Sequence, residues 1–304
     1  MKHFIFTSLL FAVLFTRAQQ DAQYNLYQFN PLVINPAYAG SKDVLSVVAS
    51  VRNQWSGFDG APRTTCITGH MPIMNKTMGV GGTIVNDKMG PRNNIGIYAN
   101  YAYILKLSRT LKLSFGLNAG YNRYQFDYSK LTFYANEAPV DLSQSQNHGV
   151  LDINGGLYLK GGTYFVGFSA THLTAPSVYD FDANSARFSY RLKSHLFLTA
   201  GKSFILNENV VFAPTVLLKS VTNTTMVDVN LNFLLFKKLW LGAFFRSAYG
   251  PGFLMQYYVT NQFKVAYSFD SGLKDARKLG ASHEIMIGFD LSGSKAKTVN
   301  PRFL

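Results

Sequence analysis

The 304-residue sequence predicts an all-β protein: a transmembrane antiparallel β-barrel of about 14 strands with an irregular N-terminal periplasmic or plug segment. Three observations carry that prediction. Apolar and polar residues alternate with a period of two along most of the chain, the gaps between alternating segments are long and short by turns, and no apolar run after residue 18 is long enough to cross a bilayer as a helix. Composition agrees. Hydrophobic residues make up 47% and charged ones 15%, yet mean hydropathy is only +0.03, so apolar side chains are diluted almost one for one by polar neighbours. That dilution excludes a polytopic helical membrane protein, and an aromatic share of 15% excludes a disordered tail. One cysteine, Cys66, excludes an internal disulfide framework and any CxxC site.

Residues 1–18 read as a secretory signal peptide. Lys2 and His3 precede an apolar run over residues 4–15, and Thr16, Arg17 and Ala18 lead to a cut after Ala18. The run is too short to span a bilayer, and no cysteine follows the cut to carry a lipid. Residues 19–43 form the N-terminal segment. Its two Asn-Pro steps, Asn30-Pro31 and Asn35-Pro36, fix φ and bias the preceding residue away from helix, so the chain here is irregular and turn-prone. Tyr24, Tyr27, Phe29 and Tyr38 need cover in such a stretch. Either the segment seals the lower mouth of the barrel, or it is a docking surface for a periplasmic partner.

Residues 44–291 carry the barrel. Leu111, Leu113, Phe115, Leu117, Ala119 and Tyr121 alternate with Lys112, Ser114, Gly116, Asn118, Gly120 and Asn122, which a strand sorts onto opposite faces and a helix would scatter. Such segments lie near 44–54, 62–71, 77–86, 94–106, 110–124, 151–160, 163–171, 192–204, 209–219, 224–235, 238–246, 252–258, 261–269 and 281–291. The polar face is rich in Gly, Asn and Ser rather than the Lys, Glu and Thr of a water-facing sandwich, as the inside of a closed barrel would be. The apolar face, edged with Tyr and Trp, meets lipid. Loop lengths test this independently. The longest gaps, near 125–150 and 172–191, both follow odd-numbered strands, whereas the even connections at 72–76, 107–109, 160–162, 206–209, 237–238 and 260–261 are brief. Up-and-down strands with both termini in the periplasm give that parity. Residues 292–304 are a periplasmic tail.

Little points to chemistry. The six histidines, at positions 3, 70, 148, 172, 195 and 283, show no HxxxH pair and read as isolated strand or loop residues. His195 has no local serine partner, no G-x-S-x-G elbow is present, and the protein is read as no enzyme. Gly79, Gly81 and Gly82 open no helix, so they admit close packing rather than phosphate, and Cys66 reads as an inert buried thiol. No cofactor or metal is expected. The pI near 9.7 comes from dispersed cations on an exported chain, which argues against nucleic acid and for anionic outer-membrane lipid or a negatively charged partner; Lys295, Lys297 and Arg302 could meet either. Lys112, Asp152, Asp228, Glu284 and Asp290 face the lumen, where they either line a selective channel or pair within a filled interior. A lumen this narrow favours pairing.

Several stretches carry a resemblance: residues 21–31 (DAQYNLYQFNP) and 35–40 (NPAYAG), 52–62 (RNQWSGFDGAP), 86–90 (NDKMG), 280–285 (GASHEI) and the closing 300–304 (NPRFL). In that order, over nearly the whole mature chain, they resemble the PorP/SprF family of type IX secretion system membrane proteins. Leu304 stands where the family commonly has an aromatic. The resemblance implies an integral outer-membrane barrel that is not itself the wide export pore. It implies an accessory partner of type IX secretion components in outer membrane and periplasm, needed for export or surface attachment of specific cargo proteins, in some members gliding-motility adhesins. On that footing the partner-binding candidates are Tyr24, Tyr27, Phe29, Asn30, Pro31, Asn35, Pro36 and Tyr38 toward periplasmic components. The external loops near 125–150 and 172–191, or the loop with Trp55, Phe58 and Pro62, are candidates toward cargo, and His283, Arg302 and Phe303 are further partner-binding candidates with no partner assigned. The alternative is an outer-membrane channel for small or hydrophobic solutes.

Overall fold

The structure is a computed structural model that describes residues 21–130, 145–183, 186–222, 224–247 and 249–291. The expected signal peptide and the tail with Lys295, Lys297, Arg302 and Phe303 lie outside the described residues. Eighteen strands follow in chain order: β1 (Leu45–Asn53), β2 (Arg63–Ile73), β3 (Met78–Met89), β4 (Arg92–Lys106), β5 (Lys112–Asp127), β6 (Ser145–Lys160), β7 (Tyr164–Thr171), β8 (Ser177–Ala183) and β9 (Ala186–Arg191), then β10 (His195–Lys202), β11 (Phe204–Ile205), β12 (Val210–Phe212), β13 (Thr215–Val221), β14 (Thr224–Leu235), β15 (Leu239–Arg246), β16 (Gly250–Tyr258), β17 (Phe263–Ser271) and β18 (Ala281–Leu291).

These make a closed antiparallel barrel of 14 wall strands. β10 and β11 are one wall strand bent at Ser203, and β12 and β13 are another, interrupted at Ala213 and Pro214, where proline has no N–H to donate to the ladder. β8 and β9 form a separate hairpin outside the wall. Closure is made where β1 pairs with β18, Leu45 opposite Leu291 and Asn53 opposite His283. With no free edge, every wall strand finds its backbone partners within the protein, which is what a lipid environment demands.

The alternation resolves as expected. On β5, Phe115, Leu117 and Tyr121 are exposed on the outer wall while Ser114, Asn118 and Asn122 are buried in the lumen. On β18, Ile285, Ile287 and Phe289 face out and Glu284 faces in. Two details differ from the sequence reading. Several strands run further than the apolar pattern does: β3 reaches Met89, β5 reaches Asp127 and β6 starts at Ser145, because cross-strand pairing continues above the apolar band with polar outward residues. Neither tryptophan joins the outer aromatic edge. The alternation of β15 turns Leu241 outward and Trp240 inward, where it meets Phe29 at a ring distance of 6.0 Å, and Trp55 lies in the loop after β1. Among the described residues, Tyr101, Tyr103, Tyr121, Tyr164 and Tyr257 are exposed on the outer wall together with phenylalanines such as Phe115, Phe168 and Phe253.

The N-terminal segment runs down the inside of the barrel. It starts beside His172, just past β7 at the long-loop end, and finishes at Lys42 beside Ser46, the second residue of β1, at the tight-turn end. Two 3-10 turns, Pro31–Val33 and Pro36–Tyr38, give it its shape, each with proline at a first position that needs no donor. Asn35 caps the second, its side chain accepting from the Ala37 N–H. The wall leaves room for this backbone at Gly79 and Gly116. A Cβ at Gly79 would overlap the carbonyl of Ala39, and one at Gly116 would overlap the backbone of Ala37. Gly79 was expected to admit close packing, and this is the contact it admits.

Candidate functional site in the lumen and at the long-loop mouth

The lumen is held shut by polar bonds that reach most of its circumference. The backbone N–H of Asn25 donates to Glu284 at 2.6 Å, and the Asn25 side chain donates to Asp270 at 2.6 Å and to Ser268 at 3.1 Å. Across the barrel, Asn230 donates to the Tyr27 hydroxyl at 2.8 Å and Asn232 to Gln28 at 2.7 Å. Lower down, Thr68 donates to Asn30 at 3.0 Å, Asn35 to the Leu157 carbonyl at 3.0 Å, and the Gly40 N–H to His70 Nδ1 at 3.1 Å. These bonds fix the segment to β2, β6, β14, β17 and β18 at once. Apolar contact fills the spaces between: Leu32, Ala37, Tyr38 and Ala39 pack with Ala102, Tyr158 and Phe165, and Leu26 packs with Val48, Phe244, Leu254, Ala266 and Met286.

Four groups of lumen-facing charges are paired, and Lys219 rests over the Phe197 ring at 5.5 Å. Arg246 forks onto Asp228 at 2.8–2.9 Å and also donates to Gln23 and to the Tyr24 carbonyl at 3.2 Å, so one guanidinium joins two wall strands to the segment. Arg52 donates to Asp270 at 2.9 Å and stands 3.8 Å from Glu284. Asp290 is shared by Lys264 at 2.7 Å and Lys42 at 3.1 Å. Asp152 receives His172 at 2.7 Å. This is the filled interior that the narrow lumen favoured. Lys112, opposite Lys160 at the tight-turn end, makes no ion pair among the described residues.

At the long-loop end the segment is tied by a cluster that no spacing in the sequence announces. Asp21 accepts from His172 Nε2 at 2.8 Å, and His195 Nδ1 lies 2.7 Å from its other oxygen. The two imidazole rings are 5.9 Å apart, edge to face. His172 and His195 are therefore not isolated, contrary to expectation: the β8–β9 hairpin leaves and returns between them, bringing the ends of β7 and β10 together. Burial opposes protonation of His172, but Asp21 and Asp152 outweigh it and push the imidazole up to about 10. Burial likewise opposes ionisation of Asp21, and the two imidazoles outweigh it, holding the carboxyl well below its usual range.

The signs define a pH window. A raised imidazole contributes its full stabilisation below its ordinary value of 6.5 and loses it as pH rises through about 10. A lowered carboxyl contributes fully above its ordinary 3.8 and loses that as pH falls. The cluster is tightest between those ordinary values. The difference in thermal unfolding midpoint between the wild type and His172→Gln is expected to peak near pH 5–6 and to shrink toward both pH 3 and pH 10; a pH-independent difference would contradict the assignment.

Against this cluster, between the segment and the wall, lies a cavity of about 160 Å³ lined by Asp21, His172, Tyr24, Asp87, Tyr98 and Lys219 among others. Above it, the loop after β1 forms an aromatic shelf. Trp55, at a φ of +55°, stacks between Phe58 at 6.4 Å and Tyr249 at 6.0 Å. Ser56 donates to the Ala281 carbonyl at 2.9 Å, Gly57 to that of Leu279 at 3.1 Å, and Gly90 to that of Gly60 at 2.8 Å. The approach requires glycine on both sides: Gly280 sits at φ +90°, and a Cβ on it would strike the backbone of Gly57. Three stretches singled out in the sequence, at 52–62, 86–90 and 280–285, thus form one assembly at the long-loop mouth.

The predicted site residues fall into three places. Tyr24, Tyr27, Phe29, Asn30, Pro31, Asn35, Pro36 and Tyr38 come together inside the barrel, where they pack and bond to the wall rather than present a face to a partner. The sequence predicts either a seal at the lower mouth or a docking surface; the segment instead runs through the interior from His172 to Ser46. Trp55, Phe58 and Pro62 share the mouth, with Phe58 exposed. His283 is separate from both. It lies on the outer wall with its Nδ1 2.8 Å from the Tyr267 hydroxyl and its ring against Phe269.

A closed antiparallel cylinder, apolar outside and polar within, with its loops long at one end and tight at the other, is an outer-membrane β-barrel. The chain belongs to the family described as "Type IX secretion system membrane protein PorP/SprF", whose model matches residues 16–289. Among solved structures it is similar to the CymD monoaromatic hydrocarbon channel, with a TM-score of 0.51, 10% identity and coverage of 90% of this chain and 95% of that one. It is also similar to the Acinetobacter baumannii outer membrane protein Omp33 (TM-score 0.47, 11% identity, 83% of this chain and 100% of that one). A third is the Pseudomonas putida toluene transporter TodX (TM-score 0.48, 8% identity, 89% and 94%). Identities this low concern the fold alone. A search of curated proteins finds no match.

Proposed function

We propose that this barrel is an accessory component of type IX secretion that supports export or surface attachment of specific cargo proteins through protein contacts, not through transport across its own lumen. The observation that carries the reading is the filled interior. Residues 21–42 are bonded to wall strands from β1 round to β18, so no wide passage is left for a polypeptide, and the ends of the barrel are the surfaces offered to partners. In this reading the long-loop mouth faces outward and meets cargo through Trp55, Phe58 and Pro62. The tight-turn end faces the periplasmic components with exposed Lys76, Lys106, Arg109, Lys237 and Lys238. No step of this role calls on catalysis or a cofactor.

Truncating a central interface aromatic typically costs about 2 kcal/mol or more, roughly thirtyfold in affinity. The double variant Trp55→Ala/Phe58→Ala is therefore expected to reach the outer membrane at wild-type level while surface display of its cargo falls sharply. Normal display of every type IX cargo by that variant, in a strain without a redundant relative, would contradict the mouth as the contact surface. The second reading, a solute channel, is favoured only by the cavity of about 160 Å³ in the upper lumen. Selective solute uptake by liposomes carrying the intact protein would establish it.

A further inference from the structure

We propose that Arg63, Lys88 and Arg123, on the outer wall at the upper edge of the apolar band, bind the phosphate of a membrane-lipid headgroup. The register places a row of polar residues side by side across seven strands. His283 is paired with Asn53, Asn53 with Arg63, Arg63 with Lys88, Lys88 with Asn93, Asn93 with Gln125, and Gln125 with Asn147. All point outward, because their neighbours Glu284, Arg52, Thr64, Asp87, Asn94 and Tyr124 point into the lumen. Arg63, Lys88 and Arg123 are exposed.

Two cations directly opposite each other across a ladder repel, so a bound counter-charge would stabilise Arg63 and Lys88. Among the described residues no carboxylate pairs with Arg63 or Lys88. Asp87 faces inward and accepts from the Thr64 hydroxyl at 2.5 Å, Asp127 is taken by Ser129 and Lys130, and Asp59 belongs to the mouth loop. Arg123, one rung lower on β5, gives two N–H groups to Asn147, at 3.0 and 3.3 Å, which orients its guanidinium without neutralising it.

Depth selects a lipid over a dissolved anion. On β4 the outward residues from Ile95 to Leu105 are apolar or aromatic. Ten residues at about 3.4 Å rise, tilted by about 40°, span about 25 Å, the height of a barrel's lipid-facing band. On β4 the row sits one rung above that band, where lipid phosphates lie; the next rung down is Thr65, Asn86, Ile95 and Arg123, and Ile67, Ile84, Ile97 and Tyr121 beneath that rung would contact the acyl chains. The inference rests on the barrel spanning a membrane and not on the secretion reading.

The test is native mass spectrometry of the full protein released from nanodiscs of phosphatidylcholine doped with bis-phosphorylated lipid A or its dephosphorylated form. The wild type is expected to retain the phosphorylated lipid, and Arg63→Gln/Lys88→Gln to retain roughly tenfold less, with its heat-modifiable migration unchanged. A charge-matched control, Lys106→Gln/Arg109→Gln at the opposite end, is expected to retain as much as wild type. Equal retention by wild type and the first variant, equal loss in the control, retention of the dephosphorylated lipid to the same extent, or displacement by millimolar inorganic phosphate would each overturn the proposal.

Discussion

Removal of residues 21–40 is expected to turn a silent barrel into a conducting one. In planar bilayers the intact protein should show no steady ion current, and the deletion should show stable open steps with no change in the wall's β-content. Once the segment is gone, Ser50, Thr68, Asn100, Asn118, Asn154, Asn230 and Asn232 face the lumen and can hold water, beside the apolar side chains that the segment now covers, such as Tyr158, Phe165, Phe244 and Leu254. Gly79 and Gly116, now covered by Ala39 and Ala37, would widen the bore further. A milder form of the same experiment is Gly116→Leu, whose side chain occupies the place of the Pro36–Tyr38 turn and should expose the segment to added protease. A deletion variant that folds yet stays silent would mean that the wall itself closes the path.

Substitution of Arg246 by alanine is expected to cost about 3–5 kcal/mol, the range for breaking a buried pair and leaving its partner charge uncompensated. Both side chains are only 6% exposed, so solvent screens the interaction little. The loss should be reported twice: in the denaturant midpoint of the barrel, and in protection of the N-terminal segment, because the same guanidinium holds Gln23 and the Tyr24 carbonyl. The double variant Arg246→Met/Asp228→Leu should recover most of the wall's stability, since it removes both charges together, while leaving Gln23 and Tyr24 without their donor. If the double variant is as unstable as the single one, the ion pair is not the source of the effect.

Much of the wall was legible because a bilayer reads one property, polarity, at every second position. Leu117 and Asn118 differ in nothing else that matters to a strand, and the alternation they belong to fixes which face is which. Loop parity added the direction of travel. The course of residues 21–42 was not legible in the same way. Their route is set by matching shapes, Ala37 over Gly116 and Ala39 over Gly79, and small residues facing small residues leave no periodic trace. The Asp21, His172 and His195 cluster was missed for a different reason. It joins three positions distant in sequence, two of them brought together only when the intervening hairpin folds away. Trp240 shows the limit of composition. An aromatic residue in a barrel strand was expected at the lipid edge, yet its position in the alternation sends it inward against Phe29. At the mouth, the glycines at 57, 60, 90 and 280 were visible as parts of separate stretches, and only the closure of β1 on β18 shows that they meet.

The bonds from Asn25 to Glu284 and from Lys42 to Asp290 link positions separated by 259 and 248 residues. The closing strand of the wall thus grips the stretch that leads into the opening one. Seam and filling share the same residues of β18, so a chain lacking that strand would lose the seam and two holds on the segment together.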